Sequence, residues 1–528
     1  MAAILLGAAL IRTRLLEAPM ERDEGENAYM AQLLLKGYPP YTLAYQYKLP
    51  GVYFAYALIM GLFGQTLVGI HLGLLLINAG TTLLLWRLGR RLFDEEIGLL
   101  AAASFALLSL SRSVQGIFAQ AEHFVVLPAL AGLLLLLRGM ESGKASAIAL
   151  SGLLLGLGFL MKQPGFLFVL LGIALPLITY ADSPGKRRLR QAALVAATAS
   201  LPLLGTCVAL WLTGAFEKFW FWTFTYAKEY VVSLPLAVGA RQLQSNGGRI
   251  VAAAPLLWGL AGVGLVSLAW PCAWRSARTM WLVVIASFLA TTPGYFFRPH
   301  YFVLLLPAAA LLVGLGVRAL QRLAGRQAAL RRRLPPNAAR AIGVGIMLLA
   351  LLQGVVNERR YLFAVTPQEA TRATYGLNPF PESLVIADYI KARTTKEDRI
   401  AVLGSEPQIY FYADRLSATG YIHLYALMQD YPFARRMQEE MIREIEAAAP
   451  RYIVFVKVWT SWLVRERSPK RIFAWLVRYL REHYVKVGVV VPAAPRSIYR
   501  WDQDVDPQPP TPHLRFDGIE VYRRRDGA

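Results

Sequence analysis

Charged side chains stand directly beside apolar segments at several places in this chain of 528 residues. Asp23 and Glu24 are adjacent in the polar run ERDEGE, and Lys48 precedes a proline. Glu122 comes just before a long apolar segment. The later stretch GYFFRPHYF adds Arg298, His300 and Tyr301. Carboxylates can act as a general base towards a hydroxyl group or hold a metal ion, while lysine and arginine can neutralise a phosphate leaving group.

Each of these residues also has a purely structural interpretation. Asp23 and Glu24 could be solvated loop acids or cap a helix, and Glu122 could cap the helix that follows it. Lys48 could extend its ammonium group to the membrane interface, and Arg298 could anchor to lipid headgroups. A charge that enters a helix end at membrane depth is costly unless it has a partner or a water-filled cavity. Glu122 and Arg298 are therefore functional candidates.

The composition indicates a membrane protein. Hydrophobic residues make up 56% of the chain and charged residues 17%, which is too apolar for an ordinary soluble domain. Disordered, collagen-like and disulfide-rich classes are excluded, and the two cysteines lie at no metal-ligand spacing. The net charge of +22 could reflect nucleic-acid binding, attraction to anionic lipid or the positive-inside asymmetry of membrane proteins.

Ten segments are apolar enough to be predicted as membrane-spanning helices. They are 66–86, 97–111, 124–137, 146–161, 165–181, 192–212, 250–270, 280–297, 301–317 and 341–356. Two further segments are ambiguous, since 2–11 is short and 49–64 begins at a proline and contains glycines. Connections rich in arginine and lysine alternate with connections that are not, which places the basic ones in the cytoplasm. The positive net charge is therefore explained by the cytoplasmic connections and their contact with anionic lipid. Nucleic acid is not an expected partner.

This orientation places Glu122 and Arg298 on the external side. If Asp23 and Lys48 belong to the same site, they must be external too. Segment 2–11 then crosses the membrane, and 49–64 lies along its surface within a first external loop over 12–65. With the ten clear segments, about eleven transmembrane helices are predicted.

The composition changes after residue 356, where soluble-type elements begin. Segments 382–393 and 437–449 are predicted as amphipathic helices. Four apolar or β-branched runs are predicted as strands: 399–404, 451–458, 485–491 and 518–524. We therefore predict two domains, a membrane domain over 1–356 and an external α/β domain over 357–528.

Three long stretches, in this order, resemble the bacterial glycosyltransferase family 39. They are the Arg-Asp-Glu-Gly run continued by AYMAQLLLKGYPPYTLAYQYKLPGVYFAYALIMGLFG, then QAEHFVVLPALAGLLLLL, then RPHYFVLLLPAAALLVG. This family includes relatives of the protein O-mannosyltransferases and of the lipid A aminoarabinose transferase, within the GT-C superfamily. The resemblance implies an α-helical polytopic membrane protein of the GT-C type. It also implies a bacterial inner-membrane location with a periplasmic C-terminal domain.

The resemblance further implies transfer of a sugar from a polyprenyl-phosphate donor to an acceptor on the external face. Asp23 matches the catalytic acid of the first external loop, Glu24 completes its acidic pair, and Glu122 matches the acid of the second loop. Lys48 matches the lysine that binds the lipid phosphate. Arg298 and His300, with the adjacent Tyr301, match late-loop residues that meet the donor. A divalent cation held by Asp23 and Glu122 is not assigned but stays open.

Two other classes of function also stay open at this stage. A flippase or transporter of lipid-linked sugars would place ionisable groups in a helical bundle, although usually in mid-helix and with paired repeats. A structural membrane subunit without catalytic activity could keep the same fold and the same acids. The sequence identifies neither the sugar nor the acceptor, which could be a protein, a lipid or a glycan.

Overall fold

The computed structural model describes residues 1–179, 184–232, 234–270, 276–331, 338–506 and 517–525. The first part of the chain is helical. Its helices are α1 Ala2–Thr13, α2 Arg22–Leu35, α3 Gly51–Phe63, α4 Leu67–Leu92, α5 Glu95–Leu108, α6 Ala121–Ser142, α7 Ala145–Met161, α8 Phe166–Ile178, α9 Gly185–Leu212, α10 Phe216–Trp220, α11 Ala227–Val231, α12 Leu236–Gln242, α13 Gly248–Ala253, α14 Pro255–Ser267, α15 Ala277–Ala290, α16 Leu306–Arg331 and α17 Ala338–Phe363. The π-helical turn Phe221–Tyr226 joins α10 to α11.

Each of the ten predicted apolar segments contains a helix, but the helices differ in length. Within the described ranges, five are long and apolar enough to cross a membrane, or six if the bent pair Leu236–Ala253 and Pro255–Ser267 is one span. Helices α5, α7, α8, α14 and α15 have 14, 17, 13, 13 and 14 residues. At 1.5 Å per residue such helices are shorter than a hydrocarbon core of about 30 Å. By length and composition alone, the structure therefore does not give eleven spans.

Glycine lets neighbouring membrane helices approach each other closely. At Gly264 in α14 and Gly316 in α16, an added Cβ would lie 2.0 Å from a carbonyl oxygen of the opposite helix. Such contacts are typical of membrane helix pairs, which gain van der Waals packing where side chains are small. The pair α14 and α16 thus forms a tight seam in the core of the membrane domain.

The C-terminal part contains helices around a sheet, as predicted, and this sheet is mixed. Its helices are α18 Pro367–Tyr375, α19 Phe380–Lys391, α20 Gln408–Ala413, α21 Phe433–Ala448, α22 Trp459–Trp462 and α23 Arg471–His483. Its strands are β1 Arg399–Leu403, β2 Leu416–Ser417, β3 Tyr452–Lys457, β4 Tyr484–Val491, β5 Ile498–Trp501 and β6 Gly518–Arg524, in the order β2-β1-β3-β6-β4-β5. Strand β1 is parallel to β2 and β3, whereas β6 is antiparallel to β3 and β4. Helix α17 runs past residue 356, so the predicted domain boundary falls inside a helix.

The first external loop and the C-terminal domain share one apolar core. Tyr29 of α2 stacks on Tyr410 of α20 with ring centroids 5.1 Å apart, and its hydroxyl accepts a hydrogen bond of 2.8 Å from the backbone N–H of Ser417. Arg22 forms an ion pair of 2.6 Å with the buried Glu406. Because α2 also carries Asp23, the C-terminal domain helps to fix the position of that carboxylate.

We predict that Gly25→Ala disturbs this interface. An added Cβ at Gly25 would lie 2.5–2.7 Å from Cβ, N and Cα of Gln408 in α20, so the two helices would have to separate. Overpacking of this kind costs about 1–3 kcal/mol, so the thermal midpoint of this chain should fall by about 1–3 °C. Gly7→Ala is the matched control, since nothing lies within 4 Å of that position. A wild-type melting curve for Gly25→Ala in detergent would show that the helices are not packed in this way.

Candidate active site

Helix α2 begins with a capping box that determines where its three acids point. Glu21 accepts a hydrogen bond from the backbone N–H of Glu24, and the Glu24 carboxylate accepts one from the backbone N–H of Glu21. Glu24 also lies 3.0 Å from Nε2 of His71 and accepts a hydrogen bond from the backbone N–H of Ala119. Glu24 therefore connects α2 to α4 and to the segment just before α6. Asp23 points elsewhere, because adjacent helical residues do not share a face.

Asp23 and Glu26 share one ammonium group. Lys48 Nζ lies 3.1 Å from Oδ1 of Asp23 and 3.0 Å from Oε1 of Glu26, and Lys48 is only 2% exposed. The segment that carries Lys48 is fixed by Tyr41, whose hydroxyl donates a hydrogen bond of 2.7 Å to the Lys48 carbonyl, and by Pro50, the N-cap residue of α3. The buried ammonium group is thus held against two carboxylates on one face of α2.

Glu122 belongs to the same cluster of charged residues, where His300 lies near both it and Asp23. Its Oε1 is 2.5 Å from Nζ of Lys162, a residue that the sequence had not singled out. His300 Nε2 lies between the two acids, 4.0 Å from Oδ2 of Asp23 and 3.9 Å from Oε1 of Glu122. The ring of Tyr301 lies under Lys162, with Nζ 4.6 Å from the ring centroid. The start of α6 and the segment before α16 therefore meet at Asp23.

Arg298 lies close enough to Asp23 to act on its charge. Its guanidinium donates a hydrogen bond of 3.2 Å to the hydroxyl of Tyr230 and lies 5.5 Å from the ring centroid of Phe296. Tyr230 stacks in turn on Tyr47, the neighbour of Lys48, at 4.9 Å. The aromatic rings hold Arg298 near the pocket without neutralising its charge.

The structure thus brings six of the seven predicted site residues into one cluster, whereas the seventh, Glu24, makes a buried contact with His71. Three further residues take part that sequence reasoning missed: Glu26, Lys162 and His423. Glu26 could have been found, because it lies three residues after Asp23 on the same helical face. Lys162 follows an apolar run directly, which is a costly place for an unpaired charge. No local signal marks His423, which comes from the C-terminal domain.

The basic residues keep Asp23 ionised. Burial opposes the charge of this carboxylate, but attraction to Lys48, with Lys162 and Arg298 also contributing, holds the pKa of Asp23 well below its ordinary value. Burial, with Lys162 nearby, also holds the pKa of His300 well below its ordinary value, so its ring is neutral. An ionised Asp23 is available to accept a proton, but with so low a pKa its effect as a base must come from position.

We predict from this a flat pH profile in mildly acidic buffer. Because the pKa of Asp23 is lowered, the stability and reactivity that its ionised form supplies are present above the ordinary aspartate value of about 3.9 and are lost only as the pH falls through the lowered pKa. The rate of a reaction that uses Asp23 as its base, measured in a series of buffers, should therefore be constant from about pH 8 to about pH 5. An acid limb near pH 6 that moves in an Asp23→Glu variant would contradict this prediction.

Three residues of the pocket could together hold a metal ion. One ligand atom from each of Asp23, Glu26 and His423 lies within 4.8 Å of the others, and carboxylate oxygens with an imidazole nitrogen suit several divalent cations. Glu122 instead contacts Lys162, so the predicted pair of Asp23 and Glu122 is not the set that the structure brings together. The ammonium group of Lys48 already contacts both carboxylates of the new set. A divalent cation there would compete with Lys48.

Comparison with known proteins agrees with this architecture. A family model described as dolichyl-phosphate-mannose-protein mannosyltransferase matches residues 48–211. No curated protein matches the sequence.

Similar solved structures cover nearly the whole chain. The structure of ArnT from Cupriavidus metallidurans bound to undecaprenyl phosphate gives a TM-score of 0.60 at 16% identity, over 99% of this chain and 97% of that chain. The apo state of that protein gives 0.62, also at 16% identity, with the same coverage. The apo oligosaccharyltransferase from Archaeoglobus fulgidus gives 0.55 at 14% identity, over 95% of this chain and 74% of that chain.

The fold of this chain is therefore that of the GT-C glycosyltransferases. The prediction of an α-helical membrane protein with a C-terminal sheet domain is confirmed, and the matches support assignment to the GT-C superfamily.

Proposed function

We propose that the chain is a membrane glycosyltransferase that moves a sugar from a polyprenyl-phosphate donor to an acceptor hydroxyl on the external face of a bacterial inner membrane. The observation that carries the proposal is the contact of one buried ammonium group, on Lys48, with two carboxylates beside Arg298. A phosphate that enters this pocket meets two fixed positive charges, and an acceptor hydroxyl meets an ionised Asp23. The undecaprenyl phosphate bound to the similar ArnT supports a lipid-phosphate donor.

The proposed reaction is a direct displacement at the anomeric carbon of the sugar. A bond forms between that carbon and the acceptor oxygen while the bond to the phosphate oxygen breaks. Asp23 takes the acceptor proton, and polyprenyl phosphate leaves as an anion stabilised by Lys48 and Arg298. His300, which is neutral, contributes no positive charge and lines the pocket between Asp23 and Glu122. Glu122, fixed by Lys162, orients the acceptor.

The test is release of polyprenyl phosphate by the purified protein in nanodiscs. Donors are undecaprenyl-phosphate-linked mannose, glucose and 4-amino-4-deoxyarabinose, each with and without membranes from a strain that lacks the protein as the acceptor source. We expect release from at least one donor, stimulated by the acceptor membranes, with the labelled sugar recovered on an acceptor. Sugar that crosses a sealed vesicle still attached to its lipid would indicate a flippase. Neither release nor movement would indicate a structural subunit.

A further inference from the structure

The C-terminal domain places one histidine at the catalytic pocket. His423 lies in the segment between β2 and α21 that packs on the first external loop, where the backbone N–H of Tyr45 donates a hydrogen bond of 2.7 Å to the carbonyl of Gly420. The following residue, Leu424, is fixed by a hydrogen bond of 2.9 Å from its backbone N–H to Oγ of Ser405. Hydrogen bonds of the residues before and after His423 in the chain therefore fix its position.

The contacts of this ring define which nitrogen carries the proton. Nδ1 of His423 lies 3.0 Å from Oε2 of Glu26 and 3.3 Å from Nε2 of Gln46. A carboxylate can only accept, so Nδ1 donates to Glu26, and the Gln46 amide donates to the same carboxylate. In the neutral ring Nε2 is then left with a free lone pair.

That lone pair has no partner among the described residues. The side chain of His423 is 9% exposed, and Nε2 is buried without a hydrogen bond. Buried polar atoms are nearly always paired, because an unpaired one loses its hydrogen bonds to water and gains nothing in return. Because His423 belongs to the same cluster as Asp23 and Glu26, an acceptor kept in this state is suited to a hydroxyl group that arrives with the substrate.

The contacts of Glu26 indicate that this hydroxyl group belongs to the donor rather than to the acceptor. Glu26 is shared by His423, at 3.0 Å, and by Lys48, whose Nζ is also 3.0 Å away. Lys48 is the residue that meets the donor phosphate in the proposed function, and the donor sugar is bonded directly to that phosphate. We propose that Nε2 of His423 accepts a hydrogen bond from a hydroxyl group of the donor sugar, with the ring oriented by Glu26. This inference rests on the proposed function and assigns the C-terminal domain a part in donor recognition.

Two substitutions separate substrate binding from a positioning role. The amide of asparagine reaches the place of Nδ1, so His423→Asn keeps the contact with Glu26 and removes the group at Nε2. The amide of glutamine reaches the place of Nε2, so His423→Gln keeps a polar group there and weakens the contact with Glu26. We expect His423→Asn to raise the donor KM about fivefold with kcat little changed, and His423→Gln to retain more of the donor affinity. His483→Asn, at the exposed end of α23, is the control and should change neither constant.

The outcomes are distinguishable from failure of the proposed function, which would show as no polyprenyl phosphate release by the wild-type protein. With release intact, a wild-type donor KM for His423→Asn overturns the inference. A fall in kcat without a change in the donor KM also overturns it. The same holds for a variant that changes only the amount of acceptor membranes needed for half-maximal transfer. If both variants melt at lower temperature, the wild-type protein still provides the test with singly deoxygenated donor sugars. One deoxygenation should raise the donor KM about fivefold, and no effect from any of them overturns the inference.

Discussion

Replacing Asp23 with asparagine is expected to lower sugar transfer by about a thousandfold while donor binding stays near the wild-type value. Asparagine has the shape of aspartate but cannot take a proton from the acceptor hydroxyl. Lys48 keeps its contact with Glu26 at 3.0 Å, so its ammonium group is not left without a partner. The measurement is transfer of labelled sugar in membranes, together with the dissociation constant for undecaprenyl phosphate.

Asp414→Asn is the matched control for this variant. Asp414 also contacts a lysine, with Lys36 Nζ 2.7 Å away, but its side chain is 28% exposed and it lies on the surface. An exposed pair of this kind contributes little to stability, and its loss should change transfer by less than about twofold. Near-wild-type transfer by Asp23→Asn would remove Asp23 from the mechanism. A loss of donor binding equal to the loss of transfer would make its role one of binding rather than proton transfer.

Most of the architecture could be predicted from the sequence, because membrane segments have a distinctive hydropathy and their connections a distinctive charge. Basic and non-basic connections alternate, so a side of the membrane could be predicted for each loop without knowledge of contacts. The four longer strands of the C-terminal domain were predicted from their β-branched and apolar runs. Strands β2 and β5 were not, because one has two residues and the other is largely exposed along its length.

The site was predictable where its residues flank apolar segments and not where tertiary packing supplies them. Lys48 and Arg298 each stand out at the end of such a segment, and Asp23 stands out in the acidic run ERDEGE. Helical periodicity places Asp23 and Glu24 on different faces of α2 and places Glu26 on the same face as Asp23. The second carboxylate that contacts Lys48 could therefore have been predicted from the sequence. The contact of Glu26 with His423 spans 397 residues and depends on the docking of two domains. No local pattern encodes it.

Replacing Lys48 with alanine is expected to weaken binding of undecaprenyl phosphate by about 10- to 100-fold, which corresponds to the loss of one charge-assisted contact. The change also leaves Asp23 and Glu26 close together without their shared ammonium group. Because Lys48 is the foremost of the charges that lower the pKa of Asp23, that pKa should rise in the variant. Removing one partner of a buried pair typically costs about 3–5 kcal/mol, so the protein should also melt at lower temperature.

These effects can be separated by comparing Lys48→Ala with Lys48→Arg and Lys36→Ala. Arginine keeps the positive charge and should restore much of the thermal stability, although its planar group does not match the position of the ammonium nitrogen. Lys36→Ala removes a surface lysine from its pair with Asp414 and should leave both donor binding and melting unchanged. If Lys48→Ala melts early but binds undecaprenyl phosphate with wild-type affinity, Lys48 serves only to hold the two carboxylates, and the phosphate contact must be assigned to Arg298 alone.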